Sequence, residues 1–168
     1  MSKNIKFEKV SYGQFNKDMK NLYNFSDEFI SEIYDEINTP KRGTHKSAGY
    51  DFFSPIGFDL EPNETIMIPT GIRCVMPDDM VLMIFPRSGL GSKFRFTPCN
   101  LTGIIDADYA DADNEGHIFM KMVNEGDKTV SISEGQAFCQ GILLNYFTTD
   151  DDETTKTRTG GMGSTDNT

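Results

Sequence analysis

Apolar and charged residues alternate from Ile5 to Val10 (I-K-F-E-K-V), the period-two pattern of a half-buried β-strand. After Gln14 the period lengthens. Phe15, Met19, Leu22 and Tyr23 fall at helical spacing, Asn24 to Ser26 interrupt, and Phe29, Ile30, Ile33, Tyr34 and Ile37 resume it. Ser26 followed by Asp27 and Glu28 reads as an N-cap with an acidic first turn, so Gln14 to Ile37 is predicted as two short helices. Thr39-Pro40 closes them, because the residue before proline is pushed out of the helical region. Beyond this point the pattern is β. Strands are predicted at Tyr50–Phe53, Thr65–Ile68, Ile72–Val75, Met80–Phe85, Leu101–Ile105, His117–Val123, Thr129–Ile132 and Ala137–Phe147. Turn signals separate them at Pro55 to Gly57, Glu61 to Asn63, Pro77 to Asp79, Asn124 to Asp127 and Glu134-Gly135. Many short strands at this spacing predict an all-β jelly roll or sandwich, with a short helical insertion near the N-terminus.

The pattern stops at Phe147. Thr148 to Thr168 is Thr, Asp, Gly and Ser with one Met, too polar to order itself by burial. The expected organisation is therefore one β domain over 1–147 and a flexible tail over 148–168. A chain of 168 residues is long enough for a real core. Its net charge of −10 argues against nucleic acid or an anionic membrane as partner, since both need clustered Lys and Arg. Cys74, Cys99 and Cys139 are widely spaced in apolar contexts and read as reduced core thiols of a cytoplasmic protein. His45 and His117 have no ligand-like neighbours and read as surface or strand residues, so no zinc site is expected. There is no leader-like apolar run and no stretch near 18 apolar residues, so neither secretion nor membrane insertion is expected.

Three stretches could carry chemistry. Gly103 to Tyr109 (G-I-I-D-A-D-Y) drives a short buried strand into a turn, where alternation sends Asp106 and Asp108 to one face beside an aromatic ring. Pro86 to Lys93 (P-R-S-G-L-G-S-K) combines glycines, a hydroxyl and two cations, a candidate phosphate cradle in an acidic protein. It is not a Walker A loop, which needs Gly-Lys-Ser/Thr opening a helix. Arg158 with Thr159 to Thr165 (T-G-G-M-G-S-T) reads either as a flexible linker or as a closing flap, with Arg158 and the Ser164 and Thr165 hydroxyls as phosphate donors and Met162 as its apolar contact. Asp111 to Gly116 looks like the start of a calcium loop, but Met122 stands where an EF-hand needs a bidentate Glu.

The order of five segments adds what single motifs do not. A-G-Y-D (48–51), P-R-S-G-L (86–90), N-L-T-G-I-I-D-A-D-Y (100–109), G-Q-A-F-C-Q (135–140) and R-T-G-G-M-G-S-T (158–165) occur in sequence. This resembles the five-motif layout of the homotrimeric dUTPases, from about residue 39 to the end, and viral and phage members with insertions are what it looks like. The resemblance implies a jelly-roll trimer whose active sites lie at subunit junctions. It implies hydrolysis of dUTP to dUMP and pyrophosphate, which lowers dUTP and supplies dUMP for thymidylate synthesis.

On that model Asp106 is the general base for a water that attacks the α-phosphorus. Arg87, Ser88 and Gly89 hold phosphate oxygens, and Gln140 bonds another. Tyr109 packs under the deoxyribose and leaves no room for a 2′-hydroxyl. Asn100 and the hairpin backbone at Gly103 and Ile105 read the uracil edge, and a cytosine there would leave buried groups unpaired. Arg158, Met162, Gly163 and Ser164 belong to the closing tail. Mg²⁺ is the implied cofactor, bound across the triphosphate, with Asp51 an outer-shell carboxylate acting through water. The chain departs from the family pattern in four places. Ala137 stands for the usual Arg, and Met162 for the usual aromatic. Arg158 is one residue nearer the glycines, and Asp111 replaces a Gly ahead of about five extra residues near Ala112 to Gly116. A lid weakened by these changes is expected. The helical insertion at 14–37 lies outside the resemblance and would pack on the barrel exterior or offer a platform to a protein partner. Two other readings remain: a dCTP deaminase or bifunctional enzyme of the same fold, and a dUTP-responsive regulator of another protein.

Overall fold

The alternating N-terminal segment forms strand β1 (Lys6–Lys9), and the two helical stretches form α1 (Tyr12–Leu22) and α2 (Asp27–Glu36). The computed structural model describes residues 4–156, 158 and 160. Helix α1 begins two residues before the apolar periodicity does, because Ser11 is its N-cap and its hydroxyl accepts the Gln14 N–H at 3.1 Å. Ser26 caps α2 as expected, accepting from Phe29 N–H at 3.2 Å. The buried faces are Phe15, Asp18 and Met19 on α1 and Ile30 and Ile33 on α2. They close on the turn at Gly71, whose φ of 73° favours glycine, and where any Cβ would meet Phe15 and Ile37.

The remaining strands run in short antiparallel pairs. A five-stranded sheet has the order β2 (Lys41–Arg42), β3 (Tyr50–Phe53), β12 (Ala137–Asn145), β7 (Met80–Pro86), β9 (Gly103–Asp106). A three-stranded sheet runs β5 (Thr65–Pro69), β10 (Phe119–Asn124), β8 (Phe96–Pro98). Two-stranded pairs join β1 to β6 (Ile72–Val75) and β4 (Phe58–Leu60) to β11 (Val130–Ile132). Alternation selects the inward side chains. On β7, Met80, Leu82 and Ile84 are buried while Val81 and Met83 are not, and Leu82 and Ile84 meet Phe52, Phe96, Phe138, Ile68 and Met122 in one continuous core. Each such fully buried side chain contributes about 1.5–3 kcal/mol by leaving water.

Strands β2, β4 and β8, two or three residues each, carry too little pattern to be read from sequence. The glycine-rich Ser88–Phe94 stretch forms a short helix, α3, although glycine is a weak helix former. It ends where Arg95 adopts φ 52°. Two other expectations are corrected. His117 is fully buried, and Cys99 is exposed while Cys74 and Cys139 lie in the core. Among the described residues no helix is long and apolar enough to cross a membrane.

Candidate active site

Strand β9 alternates strictly. Gly103 and Ile105 are buried, and Ile104 and Asp106 face outward. Ile105 is thus the anchor that aims Asp106 away from the core. Asp106 pairs with Val81 across the ladder and then opens a 3-10 turn, Ala107–Asp111, without using its side chain to cap it. The carboxylate is left for another partner, and Arg158 takes it: Nη2 donates to Asp106 Oδ2 at 2.6 Å and Nε to Asp108 Oδ1 at 3.0 Å. The expected approach of two carboxylates is therefore resolved by one guanidinium between them. Arg158 also lies over the Tyr109 ring, 5.6 Å from its centroid. Tyr109 is buried, and burial pushes its phenol above the ordinary range. Its hydroxyl donates to His117 O at 2.7 Å and accepts from Asn114 Nδ2 at 2.9 Å.

The second cluster sits where β7 runs into α3. Asp51 on β3 and Phe85 on β7 flank Gln140 on β12 in register. Arg87 Nε bonds Asp51 Oδ1 at 3.1 Å, its Nη1 reaches Ala137 O at 3.5 Å, and Gln140 Nε2 donates to Pro86 O at 3.2 Å. Arg87 is also the N-cap of α3 but gives no side-chain cap bond, which leaves the first-turn amides of Ser88 and Gly89 untaken by that side chain. A side chain at Gly89 would meet nothing within 4 Å, so the backbone there faces open space. Arg87, Ser88, Gly89, Lys93 and Ala137 line a cavity of about 450 Å³.

The third part is the turn between β8 and β9. Asn100 is exposed there, and its carbonyl accepts the Thr102 N–H at 2.7 Å. With Cys99, Gly103, Ile104, Ile105 and Met120 it lines a mostly apolar cavity of about 240 Å³. Asp106 and Asp108 border a separate cleft of about 270 Å³ with Asp78 and Tyr146. No residue is shared among the three linings. Within one chain the Arg87 cavity, the acidic cleft and the apolar pocket beside β9 are distinct surfaces. A further cleft of about 330 Å³, beside the end of α2 with Glu36 and Glu134 in its wall, holds none of the predicted residues. Met162, Gly163 and Ser164 lie outside the described residues.

Sequence reasoning did not identify Asp108 as a partner of Arg158, nor Asn114 and His117 as holders of Tyr109. Spacing carries no signal for such pairings.

Comparisons with known proteins identify the family and the fold. A family model described as dUTPase matches residues 35–166. The chain is 41% identical over 132 residues to a deoxyuridine 5'-triphosphate nucleotidohydrolase of Lactococcus lactis, covering 77% of this chain and 88% of the relative. The crystal structure of a dUTPase from Streptococcus mutans superposes with a TM-score of 0.63 at 29% identity, covering 86% of this chain and 98% of that one. A mutant dUTPase from phage phi11 of S. aureus, described as coordinating a structural Mg(II) ion, shares the fold with a TM-score of 0.61 at 20% identity, covering 91% and 97%.

Proposed function

The chain belongs to the dUTPase family and hydrolyses dUTP to dUMP and pyrophosphate, and on that premise we propose that Asp106 is the general base of the reaction. The observation that carries this reading is the outward carboxylate of Asp106, left uncapped at the end of β9 beside the buried Tyr109. A water held by Asp106 attacks the α-phosphorus and passes its proton to the carboxylate. The bond to the bridging oxygen breaks, and pyrophosphate leaves.

The other parts take roles by their chemistry. Arg87 with the Ser88 and Gly89 amides binds phosphate oxygens, and Gln140 supplies a further donor. Tyr109 meets the deoxyribose face, and Asn100 with the Gly103 to Ile105 backbone meets the base in the apolar pocket. Because these three surfaces are separate within one chain, a complete site needs surfaces from neighbouring copies, which supports a homotrimer with shared sites. Arg158, which pairs with Asp106 and Asp108, acts as a phosphate donor at the start of the glycine-rich tail segment, to which Met162, Gly163 and Ser164 also belong. A cytoplasmic setting suits the free thiols of Cys74, Cys99 and Cys139.

Magnesium fits this donor set in one form. Among the described residues no group of three or more acidic, His or Cys side chains could hold a metal. Asp51, beside the cradle at Arg87, would reach an ion carried by the triphosphate itself through water. Such an ion, when bound, offsets phosphate charge and orients the triphosphate. The test is pyrophosphate release from dUTP, dCTP, dTTP and UTP with and without Mg²⁺. Native chain should cleave only dUTP at speed, and Asp106→Asn should be slower by about 10²–10⁴-fold. Ammonia release from dCTP would instead support a deaminase.

A further inference from the structure

The N-terminal helical segment and the loop at 112–117, which joins the 3-10 turn to β10, touch each other at two polar joints. At the first, the Glu115 carboxylate accepts from Ser11 N–H at 2.7 Å and from the Ser11 hydroxyl at 2.6 Å. The residue that caps α1 is therefore also the dock for this loop. At the second, Asp18 on α1 lies 2.6 Å from His117 Nδ1, in a setting where the imidazole is fully buried. Gly71 N–H donates to His117 Nε2 at 2.8 Å. Nε2 is thus the lone-pair nitrogen, and Nδ1 carries the hydrogen that Asp18 accepts. Gln14 Nε2 holds the same Asp18 oxygen at 2.7 Å.

Both joints lead to Tyr109. His117 is gripped by its ring on the helix side, and its carbonyl receives the Tyr109 hydroxyl at 2.7 Å. Asn114, one residue before Glu115, donates to the same hydroxyl at 2.9 Å and also accepts Gly116 N–H at 3.2 Å. Gly116, at φ 71°, brings the loop so close that a Cβ would stand 2.7 Å from Tyr109 O and from the Ala110 Cα. The tyrosine is held at its hydroxyl and at its backbone by residues that α1 in turn holds.

We propose that Asp18 and Glu115 are positioning residues for sugar selection. Through His117 and Asn114 they fix the Tyr109 ring, and so make the helical insertion a remote determinant of deoxyribose over ribose. This rests on Tyr109 being the residue that meets the sugar. Room for a 2′-hydroxyl depends on where the ring sits to within a fraction of an ångström, and losing either joint frees the backbone that carries its anchor.

The experiment is kcat/KM for dUTP and for UTP in the full-length native chain, Tyr109→Ala, Tyr109→Phe, Asp18→Ala, Asp18→Asn, Glu115→Ala and Glu115→Gln. Each protein is checked for folded circular dichroism and native mass. Tyr109→Ala should collapse the dUTP preference, and Tyr109→Phe, which keeps the ring but loses its anchor, should weaken it. Asp18→Ala and Glu115→Ala should lower the dUTP:UTP ratio about fivefold to tenfold. Asn and Gln, which can still accept a hydrogen bond, should restore most of it. If these variants slow both substrates equally and leave the ratio intact while Tyr109→Ala collapses it, the joints are merely structural and the inference fails. If Tyr109→Ala leaves the ratio intact, the sugar role itself is wrong and the inference falls with it. Should Asp18→Ala not fold, the Glu115 pair and Tyr109→Phe decide.

Discussion

Asp106 and Asp18 are both carboxylates with close hydrogen-bond partners, yet they sit in opposite kinds of region. On the β9 edge the Asp106 side chain is 51% exposed, caps nothing, and is met by one cation from the tail. Between the insertion and the barrel, Asp18 is buried and satisfied twice by neighbours that are themselves fixed. The first region keeps polar groups available for a ligand; the second uses them up in holding the fold. The difference teaches that a short polar contact does not mark a catalytic group. What marks it is whether the partner can leave without stranding a buried charge.

The largest effect expected from this contrast is at Asp106. Asp106→Asn should lower turnover by about 10²–10⁴-fold. Its melting temperature should stay within a few degrees of native, because the side chain is half solvated and caps no helix. A large loss of stability would place Asp106 in the same class as Asp18. The reverse is expected for Asp18→Ala. It leaves the buried His117 N–H without an acceptor, which costs about 1–3 kcal/mol of stability in denaturant melts. Its dUTP turnover should fall far less than that of Asp106→Asn.

A smaller effect concerns pH. The Ser11 hydroxyl and amide hold the Glu115 carboxyl below its ordinary range. A depressed carboxylate contributes stability that is fully present above the unfolded value of about 4.3 and is lost as pH falls through the lowered folded value. The stability gap between native chain and Glu115→Gln should therefore be constant from pH 7 to about 5 and close at lower pH. A gap that widened on acidification would contradict the assigned bonds. The smallest effect separates the thiols. Burial pushes Cys74 up to about 12 and Cys139 well above the ordinary thiol range, while Cys99 is exposed at the apolar pocket beside β9. Mild alkylation followed by peptide mapping should mark Cys99 first, and bound nucleotide should slow it. Equal labelling of Cys74 would mean a looser core than described.

The local geometry of the candidate site is legible in the sequence. The strand at Ile104 and Ile105, the outward acid, the ring after the turn and the cradle at Arg87 to Gly89 are local features, each readable from a few consecutive residues. Short strands such as Phe96–Pro98 were not, because three residues cannot display a period. Helix α3 is illegible for another reason: its glycines disfavour a helix locally, so the stretch after β7 has the pattern of a turn. His117 gives no local sign of its burial, because the partners of its two ring nitrogens, Asp18 and Gly71, lie 99 and 46 positions away.

Alternation and motif order are properties of neighbouring residues, and so the amino-acid sequence by itself determined the β architecture, the paired helices near the start and the family to which the chain belongs. Pairings between distant residues were decided only by tertiary structure. Arg158 meets Asp106 across 52 positions, His117 meets Asp18 across 99, and Glu115 meets Ser11 across 104. Side-chain chemistry limits which groups can pair, but packing decides which of them end up close enough, and dry enough, to have no alternative partner in water.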